Sequence, residues 1–164
     1  MDSIKNMKSR FPQAGKVEWI CVRPERANPV QVCNDAIADT EVGLVGDHFS
    51  GKPGAERMVT LIQAEHIELM ATLLGRDSID PGLLRRNIVV TGLNLLALKG
   101  CQFQIGDAIF EGTTSCPPCS RMEMNLGEGG YNVMVGHGGI NAKVIKGGKI
   151  QVGDQLTALS RESE

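Results

Sequence analysis

The feature that most constrains this chain is a short segment in which two cysteines flank two prolines, Cys116-Pro117-Pro118-Cys119. Proline fixes its own φ and has no N–H donor, so the segment is excluded from a helix interior and from a central strand. It is therefore predicted to be a stiff, irregular loop that presents sulfur in a defined direction. Because thiolates are both nucleophiles and soft metal ligands, this loop is a prime candidate for chemistry.

Length and composition indicate one globular domain over residues 1–164, large enough for a hydrophobic core. Twenty glycines, with only four Phe, one Trp and one Tyr, predict many tight turns and a β-rich fold. The net charge of −2 with interspersed signs argues against a nucleic-acid partner, and no apolar run is long enough for a membrane span. Without a signal-peptide pattern, the five cysteines are expected to be reduced and the protein cytoplasmic.

Hydrophobic patterning predicts buried strands over 16–23, 57–62 and 87–91, and one clear amphipathic helix over 64–74. Asp80-Pro81 is a helix-start signal for a short turn. Gly147-Gly148 predicts a hairpin between 142–146 and 149–152. Together these elements predict a mainly β (α+β) fold, a partly closed β-barrel with a few packed helices.

Four roles remain open for the two cysteines on the motif alone. A zinc knuckle needs a second ligand pair, which the other cysteines do not supply. A thioredoxin-type redox pair belongs at the start of a helix in a βαβ unit, not beside two prolines. The cysteines are otherwise structural, or one is a functional thiolate. In that last case Cys119 is the better candidate, because a helix beginning near Ser120 favours the anionic form of a thiol at its start.

Other polar residues are candidates for a site edge. Arg85 and Arg86, at the entrance to a strand, are either a solvated pair or a bidentate anion site, and Asn87 either binds a polar ligand edge or caps a turn. Asp47 and His48 lie at a glycine turn. The glycine-rich loop 136–142 either allows close backbone approach to a ligand or only turns the chain.

Six segments in order resemble the MOSC domain, the C-terminal domain of molybdenum cofactor sulfurases. They are Gly-Leu-Val-Gly-Asp-His (43–48), Arg-Met-Val-Thr-Leu-Ile-Gln-Ala-Glu (57–65), Arg-Arg-Asn-Ile-Val-Val-Thr-Gly-Leu (85–93), Gln-Ile-Gly-Asp (104–107), Cys-Pro-Pro-Cys (116–119) and Gly-Lys-Ile-Gln-Val-Gly-Asp (148–154). The resemblance spans roughly 15–160, which we take as the core of the domain. It implies a β-barrel and a functional cysteine that matches Cys119.

In members that carry molybdenum cofactor, that cysteine is the metal ligand, and Arg and Asn of the strand-entry motif hold the pterin. These match Arg85 and Asn87, with Arg86, Asp47 and His48 nearby. The chain departs from some cofactor-carrying relatives, in which Arg precedes the ligand cysteine, because Pro118 occupies that position. Cys116 is an additional thiol that is expected to act as a resolving or sulfur-relay partner.

The resemblance leaves two main functions. One is a molybdenum-cofactor oxidoreductase that reduces N-oxygenated small molecules with electrons from a separate redox protein, or that takes part in cofactor metabolism. The other is a persulfide carrier that receives sulfur from a cysteine desulfurase and passes it to a metal–sulfur cluster or cofactor. Pyridoxal phosphate is expected on a partner sulfurase domain, not on this chain. The third hypothesis is a protein with a MOSC-like fold, structural cysteines and no activity.

Overall fold

The computed structural model describes residues 1–26 and 29–159. The helices are α1 (Ile4–Lys8), α2 (Ala64–Leu73), α3 (Ser120–Leu126) and α4 (Gly130–Met134), and single 3-10 turns span Pro81–Leu84 and Leu95–Leu98. The strands are β1 (Gly15–Val22), β2 (Gln31–Cys33), β3 (Asp35–Asp39), β4 (Gly43–Leu44), β5 (Val59–Gln63), β6 (Ile88–Thr91), β7 (Gln102–Ile105), β8 (Ala108–Ser115), β9 (Ile140–Lys146), β10 (Gly148–Gln151) and β11 (Gln155–Ala158). No helix in these two ranges has both the length and the apolar character needed to cross a bilayer.

Seven strands form a closed barrel in the order β1-β6-β5-β9-β8-β7-β11, and β11 pairs back with β1. Every neighbouring pair is antiparallel except β5 and β6, which are parallel and joined by α2. A parallel pair needs such a crossover, whereas antiparallel neighbours such as β7 and β8 are joined by a short turn. The fold class predicted from the sequence is confirmed, with the barrel fully closed.

The barrel interior is filled by the inward-facing side chains of its strands. In β7, for example, buried Phe103 and Ile105 alternate with exposed glutamines, the period-2 pattern of a strand with one buried face. Phe103 stacks on its cross-strand partner Phe110, with ring centroids 5.5 Å apart. This core gives the outer surface of the barrel a rigid support.

A second apolar cluster lies outside the barrel, where α2, α3 and α4 cover β5 and β6. Its buried members include Ile62 and Val89 from the strands, Met70 from α2 and Met122 and Leu126 from α3. In α2, Ile67, Met70 and Ala71 are the buried residues, which confirms the predicted amphipathic helix. α3 begins directly after the loop of residues 116–119.

The hairpin predicted at Gly147-Gly148 is wrong. β9 pairs with β8 and, through residues 140–142, with β5, whereas β10 pairs antiparallel with β3. β10 instead joins β3 and β4 in a separate three-stranded sheet. Gly148 is needed where the chain enters β10, because a Cβ at this position would lie 2.6 Å from the backbone of Asp107. The double glycine therefore marks a close backbone crossing and not a hairpin turn.

Candidate functional site

A row of polar side chains crosses the outer face of the barrel where β1, β5 and the residue before β6 come together. The Asn87 side chain is at the centre of the row. Its Oδ1 accepts hydrogen bonds from the Thr60 backbone N (3.0 Å) and Oγ1 (3.2 Å), and its Nδ2 donates to the Cys21 carbonyl (3.3 Å) and to Asp47 Oδ2 (3.1 Å). Both ends of the amide are thus used inside the protein. This geometry favours Asn87 as part of the framework of the site.

Asp47 connects this row to the end of β1. Its Oδ1 accepts a hydrogen bond from the backbone N of Arg23 (2.8 Å), while the backbone N of His48 donates to the carbonyl of Arg23 (2.7 Å). The Asp47-His48 turn therefore fixes the backbone of Arg23 on both sides. The His48 side chain is exposed at the rim.

These residues enclose a small cavity of about 110 Å³. Its lining is mostly polar and contains four arginines: Cys21, Arg23, Val30, Asp47, His48, Phe49, Arg57, Met58, Thr60, Arg85, Arg86 and Asn87. Sites for drug-sized ligands measure about 300–1,000 Å³, so this cavity matches a small group, and a ligand as large as a pterin would extend out of it.

The cavity is strongly cationic, with four guanidinium groups against the single carboxylate of Asp47. None of the ion pairs found in residues 1–26 and 29–159 involves these arginines. Burial, and then the neighbouring charges of Arg23 and Arg121, lower the pKa of Arg85. Arg85 is also the one non-glycine among the described residues with positive φ, at 59°. Such backbone strain at a cleft is typical of functional positions.

Arg86 follows Arg85 directly and also lines the cavity, but its side chain has a different environment. Arg86 is 3 % exposed, and its guanidinium donates to four backbone carbonyls. Nε bonds Gly138 O at 2.8 Å and Nη1 bonds Leu84 O at 3.2 Å. Nη2 bonds the carbonyls of Cys116 (3.2 Å) and Pro117 (3.3 Å). Arg86 therefore clamps the cysteine loop to the barrel, and few of its donors are left for an anion.

The two cysteines of the loop differ sharply in exposure. Cys116 is 2 % exposed, and its backbone N donates to Gly139 O at 2.9 Å. Cys119 is exposed and is the N-cap residue of α3, as the predicted helix start requires. It is close enough to Arg85 and Arg86 to interact electrostatically with both guanidinium groups. Only Cys119 presents its sulfur to an incoming ligand or partner.

Cys21, on the cavity wall, is a thiol of another kind. Burial, with a smaller contribution from Asp47, raises its pKa to about 12. Its Sγ donates to the carbonyl of Arg86 at 3.1 Å. Cys21 therefore stays protonated at physiological pH and is a structural donor, not a nucleophile.

The glycine-rich loop 136–139 supports the site from behind. A Cβ on Gly138 would lie 2.2 Å from the Cys116 carbonyl, and one on Gly139 would lie 1.8 Å from the Leu61 carbonyl. Glycine is needed at both positions because the backbone is in contact with other backbone. The close approach is thus to the protein's own chain: the loop packs against β5 and the cysteine loop.

The structure brings Arg85, Arg86, Asn87, Asp47 and His48 into one cavity, with Cys119 beside it. The sequence analysis missed seven lining residues, of which Cys21, Arg23, Arg57 and Thr60 carry polar or ionisable groups. Arg23 directly follows β1, and Arg57 lies two residues before β5. The sequence signal for these two residues was a cation next to one end of β1 and another next to one end of β5. Both strands are neighbours of β6 in the sheet.

The MOSC domain family model matches residues 46–157, well over half of the chain. The chain belongs to the MOSC domain family. The match includes every predicted site residue from Asp47 to Cys119, whereas Cys21 and Arg23 precede it. No curated protein matches the sequence closely enough to be counted as a relative.

Solved structures of similar fold include the YuaD protein of Bacillus subtilis, with a TM-score of 0.78 and 17% identity over 93% of this chain and 99% of that one. YiiM from Geobacillus stearothermophilus has a TM-score of 0.73 and 16% identity over 90% of this chain and 76% of that one. YiiM from Escherichia coli has a TM-score of 0.71 and 21% identity over 93% and 73%. At these identities the likeness establishes the MOSC fold.

Proposed function

We propose that this MOSC protein binds molybdenum cofactor, with Cys119 as the metal ligand and the arginine cavity as the seat of its anionic tail. The observation that carries the proposal is the placement of one exposed cysteine beside a cavity with four arginines. Thiolate sulfur is a suitable ligand for a sulfur-bound molybdenum centre. Guanidinium groups match the geometry of a phosphate group. The donor set therefore fits the two ends of the cofactor.

In this proposal the residues around the cavity have separate roles. Arg86 and the glycine-rich loop fix the loop that carries Cys119. Arg85, electrostatically coupled to both Cys119 and Arg23, connects the thiol to the cavity. When bound, the cofactor supplies redox chemistry, and the proposed reaction is the reduction of N-oxygenated small molecules with electrons from a redox protein. The chain's own residues bind and orient it.

A second candidate is persulfide carriage by Cys119 in partnership with a cysteine desulfurase. The exposure of Cys119 favours it, because sulfur transfer between proteins needs an accessible thiol. The burial of Cys116 places a condition on the resolving role predicted for it, because the loop must open before this thiol reacts.

Metal and pterin analysis tests the main proposal. The protein is purified anaerobically from a host that makes the cofactor, as wild type, Cys119→Ser and Cys33→Ser, a control thiol on β2 outside the cavity. We expect near-stoichiometric molybdenum and pterin in the wild type and in Cys33→Ser, and loss of molybdenum in Cys119→Ser. Wild-type protein without molybdenum refutes cofactor binding. A persulfide on Cys119, found by mass spectrometry in that case, supports sulfur carriage.

A further inference from the structure

The arginines of the cavity divide into two groups by what their side chains contact. Arg86 is used up by backbone carbonyls, as described above. Arg23, Arg57 and Arg85 have no ion pair within residues 1–26 and 29–159. Cationic side chains that crowd into one small cavity without carboxylate partners destabilise the fold, since like charges repel and desolvation adds to the cost. A bound anion removes that cost.

Arg23 carries the most specific sign of a missing partner. Its Nε is buried and has no hydrogen-bond partner in the part of the chain that the structure describes. Its backbone is fixed on both sides, by Asp47 Oδ1 at 2.8 Å and by the N–H of His48 at 2.7 Å. An unsatisfied buried donor is rare in proteins and calls for an explanation. A pre-positioned guanidinium with a free Nε–H is suited to bidentate binding of an oxyanion.

The carboxylate in the cavity does not compete for this donor. Both oxygens of Asp47 already accept hydrogen bonds, one from Arg23 N and the other from Asn87 Nδ2. Asn87 is itself satisfied at both ends. Of the three strand-entry residues expected at the ligand, Arg86 and Asn87 therefore hold the frame of the cavity, and only Arg85 is left for an anion. The buried donor without a partner belongs to Arg23, which that motif does not contain.

We infer that Arg23, Arg57 and Arg85 form a binding site for a phosphate-type oxyanion, with Arg23 Nε as a direct donor and with Asp47 and Asn87 as positioning residues. The cavity of about 110 Å³ is large enough for such a group. The inference rests on the proposed function only for the identity of the molecule that carries the phosphate. Arg23 lies outside the segment matched by the family model, so this donor is a feature of the chain's own first strand.

Titration of the protein with inorganic phosphate at low ionic strength, after purification from a host that does not make molybdenum cofactor, tests the site. We expect saturable binding by the wild type, weakened roughly tenfold or more in Arg23→Gln, since a charge-assisted hydrogen bond is lost. Arg23→Lys keeps the charge but loses the planar fork, and an intermediate loss is expected. Arg121→Gln is the matched control. It removes an exposed cation near Arg85 that does not line the cavity, so a change of about twofold is expected from screened electrostatics alone.

Thermal unfolding without phosphate gives an independent readout. Because Arg23 Nε has no partner and the cavity arginines repel one another, Arg23→Gln should unfold at the same temperature as the wild type or higher. The inference is overturned if Arg23→Gln binds phosphate as tightly as the wild type, or if Arg121→Gln weakens binding as much as Arg23→Gln does. A clear drop in the unfolding temperature of Arg23→Gln also overturns it. Phosphate binding through Arg23, together with wild-type protein that lacks molybdenum when it is purified from the cofactor-producing host, upholds the site and refutes the cofactor.

Discussion

Arg85 and Arg86 are adjacent in the sequence, but their side chains have different roles. Both side chains reach the wall of the cavity, but they have different partners. Arg85 lines the cationic cavity, half-buried and without an ion pair in the described ranges, whereas Arg86 is buried and bound to carbonyls of three chain segments. The sequence suggested that the two arginines together form one anion site. In the structure, Arg85 is a candidate to bind a ligand, whereas Arg86 clamps the cysteine loop.

Substitution of Arg86 tests the clamp. Arg86→Gln removes a donor shared by four carbonyls, and we expect the free energy of unfolding to fall by about 3 kcal/mol, because buried acceptors lose their partners. The more specific effect is on Cys116, which should become reactive to a thiol reagent in the folded protein while Cys21 stays protected. Arg76→Gln, a control that removes an arginine bonded to a single carbonyl, that of Leu126, should leave Cys116 protected. Protection of Cys116 in folded Arg86→Gln would contradict the clamp.

Among the elements, the glycine-rich connection between α4 and β9 positions the site without contributing a side chain to it. Gly138 O accepts the Nε bond of Arg86, and Gly139 O accepts the backbone N–H of Cys116. Both functions require the loop to lie against β5 at backbone contact distance. The loop is therefore sensitive to added volume at some positions and tolerant at others.

Two alanine substitutions in this loop separate volume from backbone strain. Gly136 (φ 79°) and Gly139 (φ 86°) both have positive φ, but a Cβ on Gly136 meets nothing within 4 Å, whereas one on Gly139 lies 1.8 Å from the Leu61 carbonyl. We expect Gly136→Ala to cost about 1 kcal/mol from strain alone. Gly139→Ala should cost about 3 kcal/mol or more, because backbone must move. Denaturant unfolding measures both, and equal costs would show that the close contact is not maintained in solution.

For the whole molecule, two titratable groups in the outer helical layer make the stability depend on pH. Within the outer layer, the ring of His66 in α2 packs edge-on against His137, with centroids 5.1 Å apart, and His137 Nδ1 lies 2.9 Å from Val133 O. Burial, and then His137, lower the pKa of His66 below 6.5. Hydrogen bonds from the N–H groups of Tyr131 and Gly129 lower the pKa of Glu123 below 4.5.

Stability should therefore fall in two steps on acidification. Below pH 6.5 the unfolded chain protonates His66 more readily than the folded one, so the free energy of unfolding decreases as pH falls towards the lowered folded pKa. The stabilisation from ionised Glu123 is complete above pH 4.5 and is lost as pH falls through its lowered folded pKa. Urea unfolding of His66→Gln should lose the first step and keep the second. An unchanged first step in this variant would assign it to other groups.

Local patterns in the sequence were sufficient for much of this protein. Alternating burial in the strands, the apolar face of α2 and the prolines of the cysteine loop each depend on a few neighbouring residues, and the β-barrel class followed from them. The residues from Asp47 to Cys119 were recognisable as candidates because they occur in ordered family segments. Tertiary structure alone decided which of them are available to a ligand. Long-range contacts bring Arg23 beside Arg85, bury Cys116, commit Arg86 and Asn87 to the frame, and send β10 to a second sheet. These outcomes depend on which groups already have partners across the barrel, and a one-dimensional pattern does not contain that information.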